Sequence, residues 1–308
     1  MQVSLRNRSN SAGEFSLSIC EVKNDATEII DQSSCFASGR LRSDSLFPGE
    51  SAAAGRLATC PAIADRYTGV ASAFRSDLPQ SEADQLVASP VNLASQETGL
   101  LTLARAGSAS SFFTSVISLP NGLRLTSGTT PSDEGGRVTL PVFQFTNYIL
   151  WGDIDLPPAS ATERAKLQRF LSGQLFWWRS PTLVRDLLVS ICPWTPPANG
   201  QPLAPFSTGF GQVQVDSSET TPARFQIDAD QSRTRFPSGN PRKVRIQFNP
   251  QDGTFVGAVN LPSDSPAFTR PMRGVVLQEG GYNRAIGVVP VLNSGTQNAR
   301  PIVLLPEP

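Results

Sequence analysis

Residues 150–194 read LWGDIDLPPASATERAKLQRFLSGQLFWWRSPTLVRDLLVSICPW, and the order of signals in this stretch decides the fold class. It begins as a strand and stops at Leu156-Pro157-Pro158, since proline offers no N–H to a ladder and drives the residue before it into extended geometry. Ser160-Ala-Thr-Glu163 then has the spacing of a capping box, in which hydroxyl and carboxylate each satisfy an orphan N–H. Leu167, Phe170 and Leu171 follow as one apolar stripe, with Arg164, Lys166 and Arg169 on the polar side and Gly173 placed to end the turn. One short helix of about ten residues is expected, too short to persist without packing. From Thr182 to Cys192, Leu183, Leu187, Val189 and Ile191 point one way; Val184, Asp186, Leu188 and Ser190 point the other. Both faces are largely apolar, which predicts a central strand covered on both sides.

Working outward, the chain from Ser111 onward is dense in short strands. Ser111–Leu119 is apolar and β-rich, and Asn121-Gly122 signals a hairpin into Leu123–Leu125. Arg137–Thr146 and Tyr148–Leu156 supply two more. After the proline-rich 195–205, alternation recurs at Gly211–Asp216, Arg224–Asp230 and Lys243–Asn249. The last is the cleanest, with Val244, Ile246 and Phe248 in and Arg245 and Gln247 out, and Asn249-Pro-Gln-Asp-Gly253 turns it into Thr254–Val259. Gly274–Leu277, Ala285–Val291 and Ile302–Leu305 complete an antiparallel sandwich or barrel pattern.

Residues 1–110 differ. They are rich in Ser and Ala and broken by Pro48, Pro61, Pro79 and Pro90, with one strand signal at Phe15–Val22. Such a composition buries too little apolar surface to order itself. The expected organisation is an extended N-terminal arm over 1–110 and a β-sandwich domain over 111–308.

The sequence Leu-Pro, short helix, Phe176-Trp177-Trp178-Arg179, long strand and Pro193-Trp-Thr-Pro-Pro197 resembles the middle of picornavirus-like capsid proteins. Phe225-Gln-Ile-Asp-Ala-Asp-Gln-Ser232 is similar to another strand of that family, departing from it at Ala229-Asp230; Ser180 stands where the family has Gly. The likeness covers roughly residues 136–305. It implies a mainly β, antiparallel jelly-roll sandwich with one short helix and an extended N-terminal segment. It also implies a structural capsid subunit that assembles with copies of itself or sister subunits around a viral nucleic acid, in virions built in the host cytoplasm. Under that resemblance the subunit contacts would fall on Trp177, Trp178, Arg179, Phe15, Leu17, Phe36, Phe47 and Phe74. A carbohydrate-binding or adhesive β-sandwich module is the alternative function.

Composition narrows the chemistry. The chain has 308 residues, no histidine, and 26 basic against 26 acidic side chains. Without histidine, Ser-His-Asp and Cys-His catalysis are excluded and most zinc sites lose their usual ligand; no catalytic residue and no cofactor is expected. Charge balance gives no global field for nucleic acid, so contact with an enclosed genome would be weak and non-specific. No apolar run reaches the ~18 residues of a membrane span, and the first residues lack the apolar core of a signal peptide. Cys20, Cys35, Cys60 and Cys192 form no CxxC pair, and free thiols in an intracellular setting are expected. Asp153 with Asp155, and Asp228 with Asp230, have the spacing of a Ca²⁺ or glycosidase pair, although strands facing water carry such pairs routinely. Arg233, Arg235, Arg242, Lys243 and Arg245 make a basic cluster beside Asp228 and Asp230, which reads as a solvated face.

Overall fold

The computed structural model describes residues 14–20, 35–42, 63–74, 98–107, 112–134, 137–145, 149–160, 173–180, 183–198, 201–215, 222–228, 233–265, 267–278, 284–293 and 296–307. These residues are strands and turns, and the expected helix lies outside them.

In chain order, β1 (Glu14–Cys20) and β2 (Cys35–Arg42) form a separate two-stranded pair in which Cys20 stands opposite Cys35. A nine-stranded antiparallel sheet follows. Its members are β3 (Arg66–Phe74), β4 (Thr98–Arg105), β5 (Phe113–Ser118), β6 (Arg124–Thr129), β7 (Ser132–Glu134), β8 (Arg137–Phe145), β9 (Ile149–Asp155), β10 (Gly173–Ser180) and β11 (Leu183–Pro193). An eight-stranded sheet contains β12 (Phe210–Gln214), β13 (Ala223–Ile227), β14 (Thr234–Arg235), β15 (Arg245–Asn249), β16 (Thr254–Val259), β17 (Arg270–Leu277), β18 (Arg284–Asn293) and β19 (Thr296–Pro306).

Both sheets are wound by one scheme. In the first the order is β6-β5-β4-β3-β11-β10-β9-β8-β7; in the second it is β14-β13-β12-β19-β18-β17-β16-β15. Each chain segment starts mid-sheet, meanders to one edge, crosses to the other edge, and meanders back until its last strand pairs with its first. These are up-and-down windings curled into a half-barrel and a nearly closed barrel, β6 returning alongside β8 and β14 meeting β15 through the Arg233–Gln247 bridge. The jelly roll expected from the sequence needs Greek-key crossings, and the meander of these sheets has none. The boundary expected at 110/111 shifts as well. β3 and β4 lie between β11 and β5 in the middle of the first sheet, and Tyr67, Ala71, Leu101 and Leu103 are buried in its core.

Alternation creates two filled interiors. The first takes Trp177, Phe113, Ile117, Leu140, Ile154 and Leu187; the second takes Phe206, Phe225, Phe248, Phe255, Ile302 and Leu304. Each fully buried side chain of this size contributes roughly 1.5–3 kcal/mol. The barrels pack against each other through Val70, Leu100, Cys192, Val275, Leu277 and Ile286. The sequence predicts β11 covered on both faces; Leu187, Val189 and Ile191 point inward, and on the other face Cys192 is buried toward the second barrel while Leu188 and Ser190 are half-buried. Polar bonds pin this seam: Thr68 Oγ1 donates to the Val276 carbonyl at 2.5 Å, Trp194 Nε1 to Pro250 O at 3.1 Å, and Thr195 and Gln278 exchange two bonds of 2.9 Å.

Candidate functional site: a braced loop rim on the second barrel

One end of the second barrel is formed by the turn from β14 to β15 (236–244) and the loop from β16 to β17 (260–269). Asparagine braces each, because its amide offers both a donor and an acceptor at backbone spacing. In the first, Asn240 Oδ1 accepts from Val244 N and Asn240 Nδ2 donates to Val244 O, both at 2.7 Å. This clamp holds Lys243 at a φ of 48°, a left-handed conformation that a side chain with a Cβ adopts only when its surroundings impose it. In the second loop, Asn260 Nδ2 donates to Ser265 O at 2.8 Å and Phe268 O at 2.5 Å. The backbone N–H of Asn260 donates across to Arg242 O at 2.7 Å, joining the two loops.

Asp264 completes the brace. Its carboxylate accepts from Arg270 Nε at 2.8 Å and Arg270 Nη2 at 2.6 Å, and from Leu261 N at 3.3 Å. The Arg270 hydrogen bonds hold the Asp264 carboxyl below its ordinary value despite the opposing effect of burial, and raise Arg270 in turn. The Asp264 side chain is 4% exposed and that of Arg270 26%, so this is a sheltered, fork-geometry pair rather than a loose surface one. The Arg270 guanidinium also lies 5.2 Å from the centroid of the Phe268 ring. Phe268 is half exposed on the loop that Asn260 and Asp264 brace. The rim presents a half-exposed aromatic ring beside Arg270 and an exposed lysine whose backbone the Asn240 clamp holds.

The residues singled out from the sequence fall elsewhere. Trp177 is fully buried in the first barrel, because strand alternation turns it inward opposite Leu150 and Arg185; it is core and offers nothing to a subunit contact. Trp178 pairs through its backbone with Val184 and Ile149, and Arg179 sits at the irregularity before Ser180. Phe15 and Leu17 lie on β1, Phe36 on β2 and Phe74 at the end of β3, opposite Asp186. Phe47 lies outside the described residues, as does Asp230. Asp228 is committed to Arg235 at 2.8 Å. Asp153 and Asp155 flank the buried Ile154 on β9, and among the described residues no group of three or more acidic or cysteine side chains is placed to hold a metal. The rim escaped notice in the sequence because Asn, Asp, Pro and Ser look the same in any turn. A faint signal was the pairing of Asn260 and Asp264 with a Phe-Thr-Arg exit.

No family model and no curated protein matches the chain. Among solved structures it is similar to the isotype 1 transferrin binding protein B from serogroup B Neisseria meningitidis, at 8% identity and a TM-score of 0.25, over 94% of this chain and 62% of that one. At that level the likeness carries no argument about fold or function, and the chain spans less than two thirds of that protein.

Proposed function

We propose that this chain is a non-catalytic recognition protein, an adhesive or carbohydrate-binding surface module, which meets its target with the loop rim of the second barrel. The observation that carries the reading is the brace. Asn240, Asn260 and Asp264 spend their polar groups on bracing two loops that carry a half-exposed Phe268 and exposed Pro262, Ser265 and Ala267. Rigid loops on a barrel end lose little entropy on binding, the usual reason recognition is built there. Both interiors are filled with apolar side chains, and the rim's carboxylate and guanidinium neutralise each other, which leaves surface contact as the work of the fold. The coat-subunit expectation stands on the sequence resemblance, and the size of the protein in solution decides between the two.

The rim is tested by displaying the purified full chain on a glycan array and on immobilised cells, beside a Phe268→Ser variant. The reading expects retained wild-type binding that falls at least tenfold in the variant while the urea midpoint holds. Binding to uncharged glycans that survives Phe268→Ser unchanged, or the absence of any such binding, removes the rim from the account.

A further inference from the structure

The charge balance of the whole chain conceals a local excess. Residues 233–273 contain seven basic side chains and two acidic ones, a net charge of +5 in a protein whose total is zero. The structure shows which charges are spent. Arg235 is neutralised by Asp228 and Arg270 by Asp264. Asp252, the other acid, is bonded to Thr254 and Asn249 at the far turn of the β15–β16 hairpin. Arg233, Lys243, Arg245 and Arg273 make no ion pair among the described residues, and all four are exposed.

Strand register gathers three of them on one face. Arg233 bridges Gln247, Gln247 pairs with Val256, and Val256 pairs with Arg273. Three steps of about 4.8 Å put the two arginines roughly 14 Å apart across the strands. Arg245 stands two residues before Gln247 on β15, about 7 Å along the strand, and Lys243 continues the line toward the rim. Gln247 and Val256, both exposed, occupy the centre. No acidic residue lies on β14, β15, β16 or β17.

We infer that this outer face binds an acidic polysaccharide, a chain carrying carboxylate or sulfate groups at regular intervals. Guanidinium groups match such oxyanions in fork geometry, the Gln247 amide suits hydroxyls between them, and Val256 suits the C–H face of a sugar ring. The other polyanions fit less well. Single-stranded nucleic acid is held by aromatic side chains on which bases stack, and the outward positions of these four strands hold none. A stable protein interface needs an apolar centre within ~800 Å² per partner, and Val256 is the one exposed large apolar side chain on this face. The inference is independent of the rim: Phe268 takes no part in it.

The test is titration of the full chain with a heparin dodecasaccharide, in parallel with dT20 and with polyglutamate. Heparin should bind more tightly than either. With three charges neutralised, affinity should fall roughly 20-fold between 50 and 200 mM salt, by the counterion-release slope for flexible polyanions. A combined Arg233→Gln, Arg245→Gln and Arg273→Gln variant should lose at least tenfold with an unchanged circular dichroism spectrum. The matching Arg→Lys set should fall between variant and wild type, since it keeps charge and loses the fork. Phe268→Ser should bind heparin as wild type does. Absence of heparin binding at 50 mM salt, equal or tighter binding to dT20 or polyglutamate, or full retention in either arginine set overturns the inference.

Discussion

Gly253 ends the turn between β15 and β16 with a φ of 71°, against Trp194 of the second core and Thr68 of β3. A Cβ built there would lie 2.5 Å from Trp194 Cδ2 and 2.8 Å from both Trp194 Cε3 and Thr68 Cγ2. Trp194 and Thr68 are buried at 3% and 0% exposure and anchored by hydrogen bonds to Pro250 O and Val276 O, so neither can swing away. Gly253→Ala therefore incurs two costs: about 1–2 kcal/mol for a side chain in left-handed backbone and about 1–3 kcal/mol for overpacking the seam. Gly209 supplies the control, for its φ is 75° and a Cβ there meets nothing within 4 Å. Gly209→Ala should cost only the backbone share, and the gain from a stiffer unfolded chain is common to both. Equilibrium urea unfolding of the two variants should thus separate them by about 1–3 kcal/mol, Gly253→Ala being the weaker. Equal midpoints would mean that the turn does not press on Trp194 and Thr68, and the packing described at this seam would be refuted.

Three further outcomes follow from individual contacts. Trp177→Ala should cost about 3–5 kcal/mol, as for a large core truncation, and a midpoint near wild type would return Trp177 to the surface. Asp264 is held below its ordinary value of 3.8, so its contribution is present above that value and is lost as pH falls through the lowered one. Asp264→Asn should accordingly lower the urea midpoint at pH 7 and converge on wild type in acid, and a difference that grew in acid would contradict the assignment. Asn260→Ala removes the bonds to Ser265 O and Phe268 O; amide exchange should speed up across residues 261–269 while β16 and β17 stay protected, and unaltered exchange there would deny the brace.

Local elements were legible in the sequence where alternation and turn chemistry coincide. Val244, Ile246 and Phe248 point inward as read, except that the strand begins at Arg245, because the Asn240 clamp holds Lys243 out of extended geometry. Asn121-Gly122 turns the chain into β6 with Asn121 Oδ1 accepting from Leu123 N. β3 was missed for a physical reason. Its run Arg66-Tyr-Thr-Gly-Val-Ala-Ser-Ala-Phe74 is small-residue-rich and resembles loop, yet the small side chains are what a strand covered on both faces at close range requires. Tyr67 and Ala71 enter the first core, while Val70 and Thr68 face the second barrel. The order of strands was not legible at all, since meander and Greek key share the same local alternation and differ only in long-range pairing. The rim was illegible because Asn240 and Asn260 bond within their own turns like any turn asparagine, and the bond that joins the two loops, Asn260 N to Arg242 O, is long-range.

The size of the full chain in solution tests the central claim most directly. Sedimentation velocity at physiological salt should show a small species, one or a few copies of 33.0 kDa, as a recognition module works without a shell. A large, closed particle of many copies, visible as a fast uniform boundary, would contradict the recognition reading and return the chain to the coat-subunit expectation.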